Sequence, residues 1–395
     1  MRRFHRFMAL GGAAMLALAA CTPSGSGSPG ASTAVSAGES AAESAAASYA
    51  PASVKLQLQW LDQSQFSGYY AAEAQGYYKE VGLTVEFLPG GGTISPQEVG
   101  SQPNGPEFTI AWVPKVLQAR EAGSDLVQIA QMAQRAPTLS VSWKNANITK
   151  PEDFKGKKVG AWPFGNELEV LAAATLAGLK AGTDFTRVEQ DFDMSELIAA
   201  KNGCGASQND CVDVAEAMVY NEWAQLLEQK DPDTGQLYQP DQFNVINYND
   251  IGVAMLQDSL YARASWLAEA GNEDIAIRFL HASFKGWIYC RDNPDDCVQY
   301  ALDHGSVWGK GHLAWMMNEV NNLYWPVPGG IGALDPDAWA QTIETAIAGQ
   351  ILKAEPADGA FRTDLADAAR AGIDDADATG TDYVKPTVNV TPGGE

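Results

Sequence analysis

The side chains best suited to chemistry stand just beyond short apolar runs. They are Trp60 with Gln65 and Tyr69, then Trp112, then Trp162 with Asn166 and Glu167, then Tyr220, Asn221 and Glu222, and Asp250. Together they offer indole and phenol faces, amides and carboxylates. An aromatic face contributes roughly 1–3 kcal/mol when it stacks on a flat heterocycle. A carboxylate meets the donor–acceptor edge of an aminopyrimidine at two points, and Glu222 and Glu167 suit that task. A small anion instead needs a fixed cation or several aimed N–H groups. Lys115 is the one cation near these positions. A flat ring therefore ranks above an anion, although helix starts at Ser67–Gly68 and Asn166 could still supply N–H donors.

These residues need elements to hold them. Residues 54–60 alternate apolar and polar side chains, the pattern of a half-buried strand. Further strands are expected over 84–88, 108–112, 126–130, 139–143, 158–162, 212–219 and 244–248. Helices are expected over 68–79, 116–122 and 167–179. The C-terminal third reads as mostly helical, over 265–270, 273–289, 295–302, 312–323 and 337–348. Strands that alternate with helices predict an α/β fold with mainly parallel sheets flanked by helices. Ligands of such sheets bind beyond the C-terminal strand ends, which is where the candidate residues lie.

Catalysis finds little support in the pattern. Of the four histidines, His5 falls in the leader, and His281, His304 and His312 fall in the helical third. No Gly-x-Ser-x-Gly, no His-Glu-x-x-His and no Cys/His nucleophile pair occurs. Gly90-Gly91-Gly92 lacks the Lys-Ser/Thr of a phosphate loop and reads as a turn. We expect no enzyme, no cofactor and no metal.

The chain has 395 residues, with 26 Lys and Arg against 49 Asp and Glu, a formal net charge of -23. That excess argues against nucleic acid, whose phosphates need a basic face. Arg2, Arg3 and Arg6 precede a short apolar run that closes on Leu18-Ala19-Ala20-Cys21. The run is too short to span roughly 30 Å of hydrocarbon. It resembles a bacterial lipoprotein leader, which implies cleavage before Cys21 and acylation of its thiol. Residues 22–52 are rich in Ser, Ala and Gly and read as a flexible tether. The expected place is the extracytoplasmic face of the cell membrane, lipid-anchored. Cys204, Cys211, Cys290 and Cys297 form an even set in an oxidising compartment. Three pairings are open; the two local ones need the least chain reorganisation. Four-Cys zinc is the rival, and its short Cys-x2-Cys spacing is missing.

The run Trp60 … Gln65-Phe66-Ser67-Gly68-Tyr69-Tyr70-Ala71-Ala72 … Gly76-Tyr77-Tyr78 … Gly82-Leu83-Thr84-Val85 resembles the opening of solute-binding proteins of the NMT1/THI5-like group. Residues 151–160, Pro-Glu-Asp-Phe-Lys-Gly-Lys-Lys-Val-Gly, resemble the phrase that begins their second lobe. Tyr220-Asn221-Glu222 resembles a pocket segment of the pyrimidine-binding branch. The resemblance implies a two-lobed fold of the periplasmic-binding-protein type (type II). Its expected layout is residues 1–20 signal peptide, 21–53 lipidated Cys and tether, 54–145 plus 250–372 lobe 1, 146–249 lobe 2, and 373–395 a loosely ordered tail. It implies a monomeric receptor that hands a small ligand to an ABC permease and its ATPase. Relatives bind thiamine pyrimidine precursors, riboflavin, or anions such as sulfonates and nitrate. The aromatic, cation-poor set ranks a heteroaromatic ligand above an anion, and among the ligands the resemblance implies a thiamine pyrimidine precursor is favoured. Fungal relatives that synthesise this pyrimidine from pyridoxal phosphate and a histidine give a reading of another class.

Overall fold

A computed structural model of the chain describes residues 49–205, 208, 210–374 and 376–395. The expected signal, the lipidation site at Cys21 and most of the tether lie outside the described residues. No helix among the described residues is long and apolar enough to cross a membrane.

Ten strands run along the chain: β1 (Ala52–Gln57), β2 (Leu83–Leu88), β3 (Phe108–Ala111), β4 (Leu126–Gln131), β5 (Thr138–Trp143), β6 (Lys158–Ala161), β7 (Thr186–Glu189), β8 (Ala215–Met218), β9 (Phe243–Asn247) and β10 (Ser259–Arg263). One sheet has the order β2-β1-β3-β10-β4, a second β8-β5-β9, and a third pairs β6 with β7. The bridge Val159–Val214 joins β6 to the segment entering β8. In β1 the alternation seen in the sequence is real: Val54 and Leu56 are buried while Ser53 and Lys55 face water. β3, β4 and β5 are buried on both faces.

The sheets are mixed, not mainly parallel. β1 pairs in parallel with β2 and β3, and β6 with β7. β10 runs antiparallel to β3 and β4, and β5 runs antiparallel to β8 and β9. The antiparallel strands are those by which the chain enters the second set of sheets and returns from it. Direction at such a crossing is set by where the strand comes from, which hydrophobic period does not record.

The largest core lies between the first sheet and the helical C-terminal third. The helix Asn272–Asp292 carries Phe279, Phe284 and Trp287 into it, all fully buried. It crosses the helix Ser67–Ala74 at very short range. A Cβ on Gly286 would lie 2.0 Å from the Gly68 carbonyl oxygen, and a Cβ on Gly68 would lie 2.1 Å from the Trp287 ring. Only glycine permits that approach. The helix expected over 68–79 is broken at Gly76, which sits at φ 78° and separates Ser67–Ala74 from Tyr77–Glu80.

The disulfides take the local pairing, Cys204–Cys211 and Cys290–Cys297. The second ties the end of Asn272–Asp292 to the helix Pro294–Asp303. The tail, by contrast, is not loosely attached. Val327 donates its N–H to the Thr379 carbonyl, Lys385 pairs with the buried Glu319 at 2.5 Å, and the Gly393 N–H donates to the Glu228 carbonyl. Its acidic and Thr/Pro-rich composition hid these bonds because they run through backbone and single side chains.

Candidate functional site

A cleft of about 380 Å³ opens beyond the C-terminal ends of five strands. Gln59 and Trp60 follow β1, and Gln63 and Gln65 stand on the turn after it. Trp112 follows β3, Trp162 and Asn166 follow β6, and Phe192 follows β7. Met218 ends β8, with Tyr220, Asn221 and Glu222 directly behind it. Strands of three sheets thus aim at one space, as expected for open α/β sheets.

Three aromatic rings stand in sequence there. The Trp60 and Phe192 centroids are 4.6 Å apart and tilted by 56°. Phe192 and Trp162 lie 6.1 Å apart and nearly parallel, at 15°. The Trp162 indole is fixed in place. Its Nε1–H donates to the Asp191 carbonyl at 2.9 Å, and its backbone N–H donates to Glu216 at 2.9 Å.

Amides and the Glu222 carboxyl line the cleft, and further buried charges bond to its lining residues. Asp258 accepts from Gln65 Nε2 at 2.6 Å and from Trp112 Nε1 at 3.1 Å. Burial pushes its carboxyl up to about 6, against the pull of those two bonds. Asp258 sits at φ 40°, a left-handed backbone that Asp tolerates better than most residues. Lys115 is buried, donates to Asn166 Oδ1 at 2.6 Å, and lies 4.1 Å from the Trp112 ring centre. Burial lowers its ammonium to about 7, with Glu167, Glu216 and Asp258 opposing. Glu222 accepts the Met218 N–H at 2.9 Å, and burial pushes it up to about 7. Burial raises Glu216 well above the usual carboxylate range. Gln59 Oε1 and Gln63 Oε1 are buried and have no protein donor. An acceptor in that state costs about 1–3 kcal/mol unless a ligand supplies a donor.

The structure brings eight of the expected residues to this cleft: Trp60, Gln65, Trp112, Trp162, Asn166, Tyr220, Asn221 and Glu222. Three others lie elsewhere. Tyr69 is in the core, its ring edge-on to Trp287 at 5.6 Å. The Glu167 carboxylate turns back to accept the Gly165 N–H at 2.9 Å and faces Arg187 at 3.5 Å. Asp250 is exposed in the turn after β9. Tyr69 and Glu167 are deflected by the helices they begin: one is spent on packing, the other on closing a turn. Gln59, Gln63, Phe192 and Met218 were missed. Phe192 could have been found had the four-residue strand β7 been recognised, because it stands three residues beyond the C-terminal end of that strand.

This arrangement defines a class: the periplasmic-binding-protein fold, with a cleft at converging strand ends. Residues 63–297 match the family described as NMT1/THI5 like, and the chain belongs to that family. The riboflavin-binding protein RibY of Chloroflexus aurantiacus is 26% identical over 314 residues, covering 76% of this chain and 82% of that protein. The putative sulfonate-binding protein SsuA of Methylobacillus flagellatus KT superposes with a TM-score of 0.57 at 14% identity, covering 82% of this chain and 95% of that one. The aliphatic sulphonate binding protein SsuA of Escherichia coli gives 0.53 at 16% identity, covering 78% and 91%. The desulfurization enzyme DSZB gives 0.52 at 13% identity, covering 80% and 99%. At such identities these structures share the fold, and the fold alone accommodates both binding and catalysis.

Proposed function

We propose that the chain is an extracytoplasmic solute receptor of an ABC importer that captures a flat heteroaromatic molecule in this cleft. Trp60, Phe192 and Trp162 carry the reading, since they reach one space from both sets of strands. Residues 54–145 with 250–372 form one lobe in this reading and residues 146–249 the other. The lobes close on the ligand by hinge motion and present the closed form to a permease, whose ATPase drives release. The unpartnered Gln59 and Gln63 oxygens ask for ligand N–H or O–H donors. The Asn221 amide nitrogen, which has no acceptor among the described residues, asks for a ligand acceptor.

Riboflavin meets these demands with a large flat ring, ring carbonyls, an imide N–H and a hydroxyl-bearing chain. The likeness to RibY supports this reading. A thiamine pyrimidine precursor is the second reading, favoured by the buried Glu222 carboxyl, which suits an aminopyrimidine edge. Titration of the purified protein with riboflavin, hydroxymethylpyrimidine and taurine, followed by tryptophan fluorescence and calorimetry, separates the readings. Micromolar or tighter binding of riboflavin supports the first. Binding of the pyrimidine alone supports the second. Binding of taurine alone overturns both.

A further inference from the structure

Behind the cleft wall an indole, a carboxylate and two amides form one chain of hydrogen bonds. Ser259 of β10 lies opposite Ala111 of β3, so the next residues outward, Asp258 and Trp112, come together. Trp112 Nε1–H donates to Asp258 Oδ1 at 3.1 Å, and Gln65 Nε2 donates to Asp258 Oδ2 at 2.6 Å. Gln63 Nε2 donates in turn to Gln65 Oε1 at 2.6 Å. All four side chains are buried. The chain ends on Gln63 Oε1, which has no protein donor, on a residue that lines the cleft.

The direction of this chain is not free. A carboxylate only accepts, so Gln65 must turn its nitrogen to Asp258. The Gln65 oxygen then faces Gln63, whose nitrogen must donate to it. The Gln63 oxygen is what remains for the ligand. Lys115 nearby favours the charged form of Asp258. A buried carboxylate costs more in desolvation than an amide of the same shape, and the chain of amides gives a reason for its presence.

We propose that Asp258 is a positioning residue that sets Gln63 as a hydrogen-bond acceptor, and that the cleft thereby selects a ligand with an N–H group at that point. The proposal rests on the cleft being the ligand site and narrows what can occupy it. The imide of riboflavin and the amino group of an aminopyrimidine both carry such an N–H. A sulfonate group, whose oxygens only accept, does not.

Asp258→Asn should reverse the chain. The Trp112 indole can only donate, so the new amide must keep its oxygen on Trp112 and turn its nitrogen to Gln65. Gln65 then answers with its oxygen, and its nitrogen turns to Gln63. Gln63 must accept with its oxygen and show its nitrogen to the ligand. Asp258 sits at φ 40°, a conformation that asparagine tolerates as aspartate does, so the backbone accommodates the exchange.

Neutron diffraction from ligand-free crystals in heavy water locates deuterium and so reads the direction of each amide. The crystals are held at about pH 8, above the value of about 6 to which burial raises Asp258. In wild type, deuterium should lie on Gln65 Nε2 toward Asp258 and on Gln63 Nε2 toward Gln65. In Asp258→Asn both amides should be turned round. Amides turned the other way in wild type, or unturned in the variant, overturn the proposal.

Riboflavin affinity is then measured at the same pH in wild type, Asp258→Asn, Gln63→Leu and the double variant. Asp258→Asn should weaken binding about tenfold where Gln63 is present, the cost of a donor facing a donor. In the Gln63→Leu background it should change binding by less than about twofold, because the effect passes through Gln63. Equal losses in both backgrounds, or no loss in either, overturn the proposal. If Asp258→Asn does not fold, the wild-type amide directions and a loss of about tenfold in Gln63→Leu carry the test, and the absence of either overturns it. If riboflavin binds none of these proteins, the ligand reading fails and the diffraction alone decides the direction of the chain.

Discussion

Glu222→Gln tests how this cleft holds its charge. Glu222 is buried, and burial raises its carboxyl from the ordinary value of 4.5 to about 7. A raised acid binds its proton more tightly in the folded chain than in the unfolded one. Its stabilising contribution is complete below about 4.5 and is lost as pH rises through about 7. A shift of this size is worth about 3 kcal/mol at 1.36 kcal/mol per pH unit. Glutamine keeps an oxygen to accept the Met218 N–H, which Glu222 now takes at 2.9 Å, and it never ionises. The variant should therefore escape the loss. For a folded body of roughly 350 residues, 3 kcal/mol corresponds to about 4 °C in Tm. Scanning calorimetry of ligand-free protein at about pH 4.5 and pH 8 reads the effect. The difference between variant and wild type should rise by about 4 °C toward pH 8. An equal difference at both pH values would refute the reasoning, because it would mean that Glu222 ionises in the folded protein as it does in the unfolded chain.

Three further outcomes follow from the same contacts. Trp162→Ala should weaken riboflavin binding by roughly 1–3 kcal/mol, or about 5- to 150-fold; a change below twofold in fluorescence titrations would remove Trp162 from the site. Lys115 has its ammonium lowered from 10.5 to about 7 by burial, so wild-type stability should rise with pH between those values, by at most about 5 kcal/mol. Lys115→Met should flatten that rise in denaturant unfolding, and an unchanged slope would count against a buried cation. Gly286→Ala places a methyl 2.0 Å from the Gly68 carbonyl oxygen, and the helices must separate, at a cost of about 1–3 kcal/mol; a urea midpoint equal to wild type would show that the crossing is not tight.

Local pattern determined much of this protein. β1 could be read because alternation of Val54 and Leu56 with Ser53 and Lys55 is a period-2 signal that needs no partner strand. The long C-terminal helices, such as Asn272–Asp292, were legible from their apolar spacing and length. Strand ends in an α/β chain are where ligands bind, so Trp60, Trp112, Trp162 and the Tyr220–Glu222 run could be selected from sequence position alone.

Tertiary structure decided the rest, for reasons of distance. Nothing local distinguishes Tyr69 from Tyr220: Tyr69 meets Trp287, more than two hundred residues away, and is spent on the core. Glu167 and Glu222 follow their strands at similar positions, but Arg187 and the Gly165 N–H draw one carboxylate back while burial holds the other at the cleft. The directions of β5 and β10 depend on how the chain passes between sheets, and hydrophobic period is blind to direction. His312 lies in a helix that reads as packing. Only the fold sets it against Asn221 and Glu228, which stand 91 and 84 residues before it. Side-chain type is a property of one position, whereas what the side chain faces belongs to pairs of positions that folding brings together.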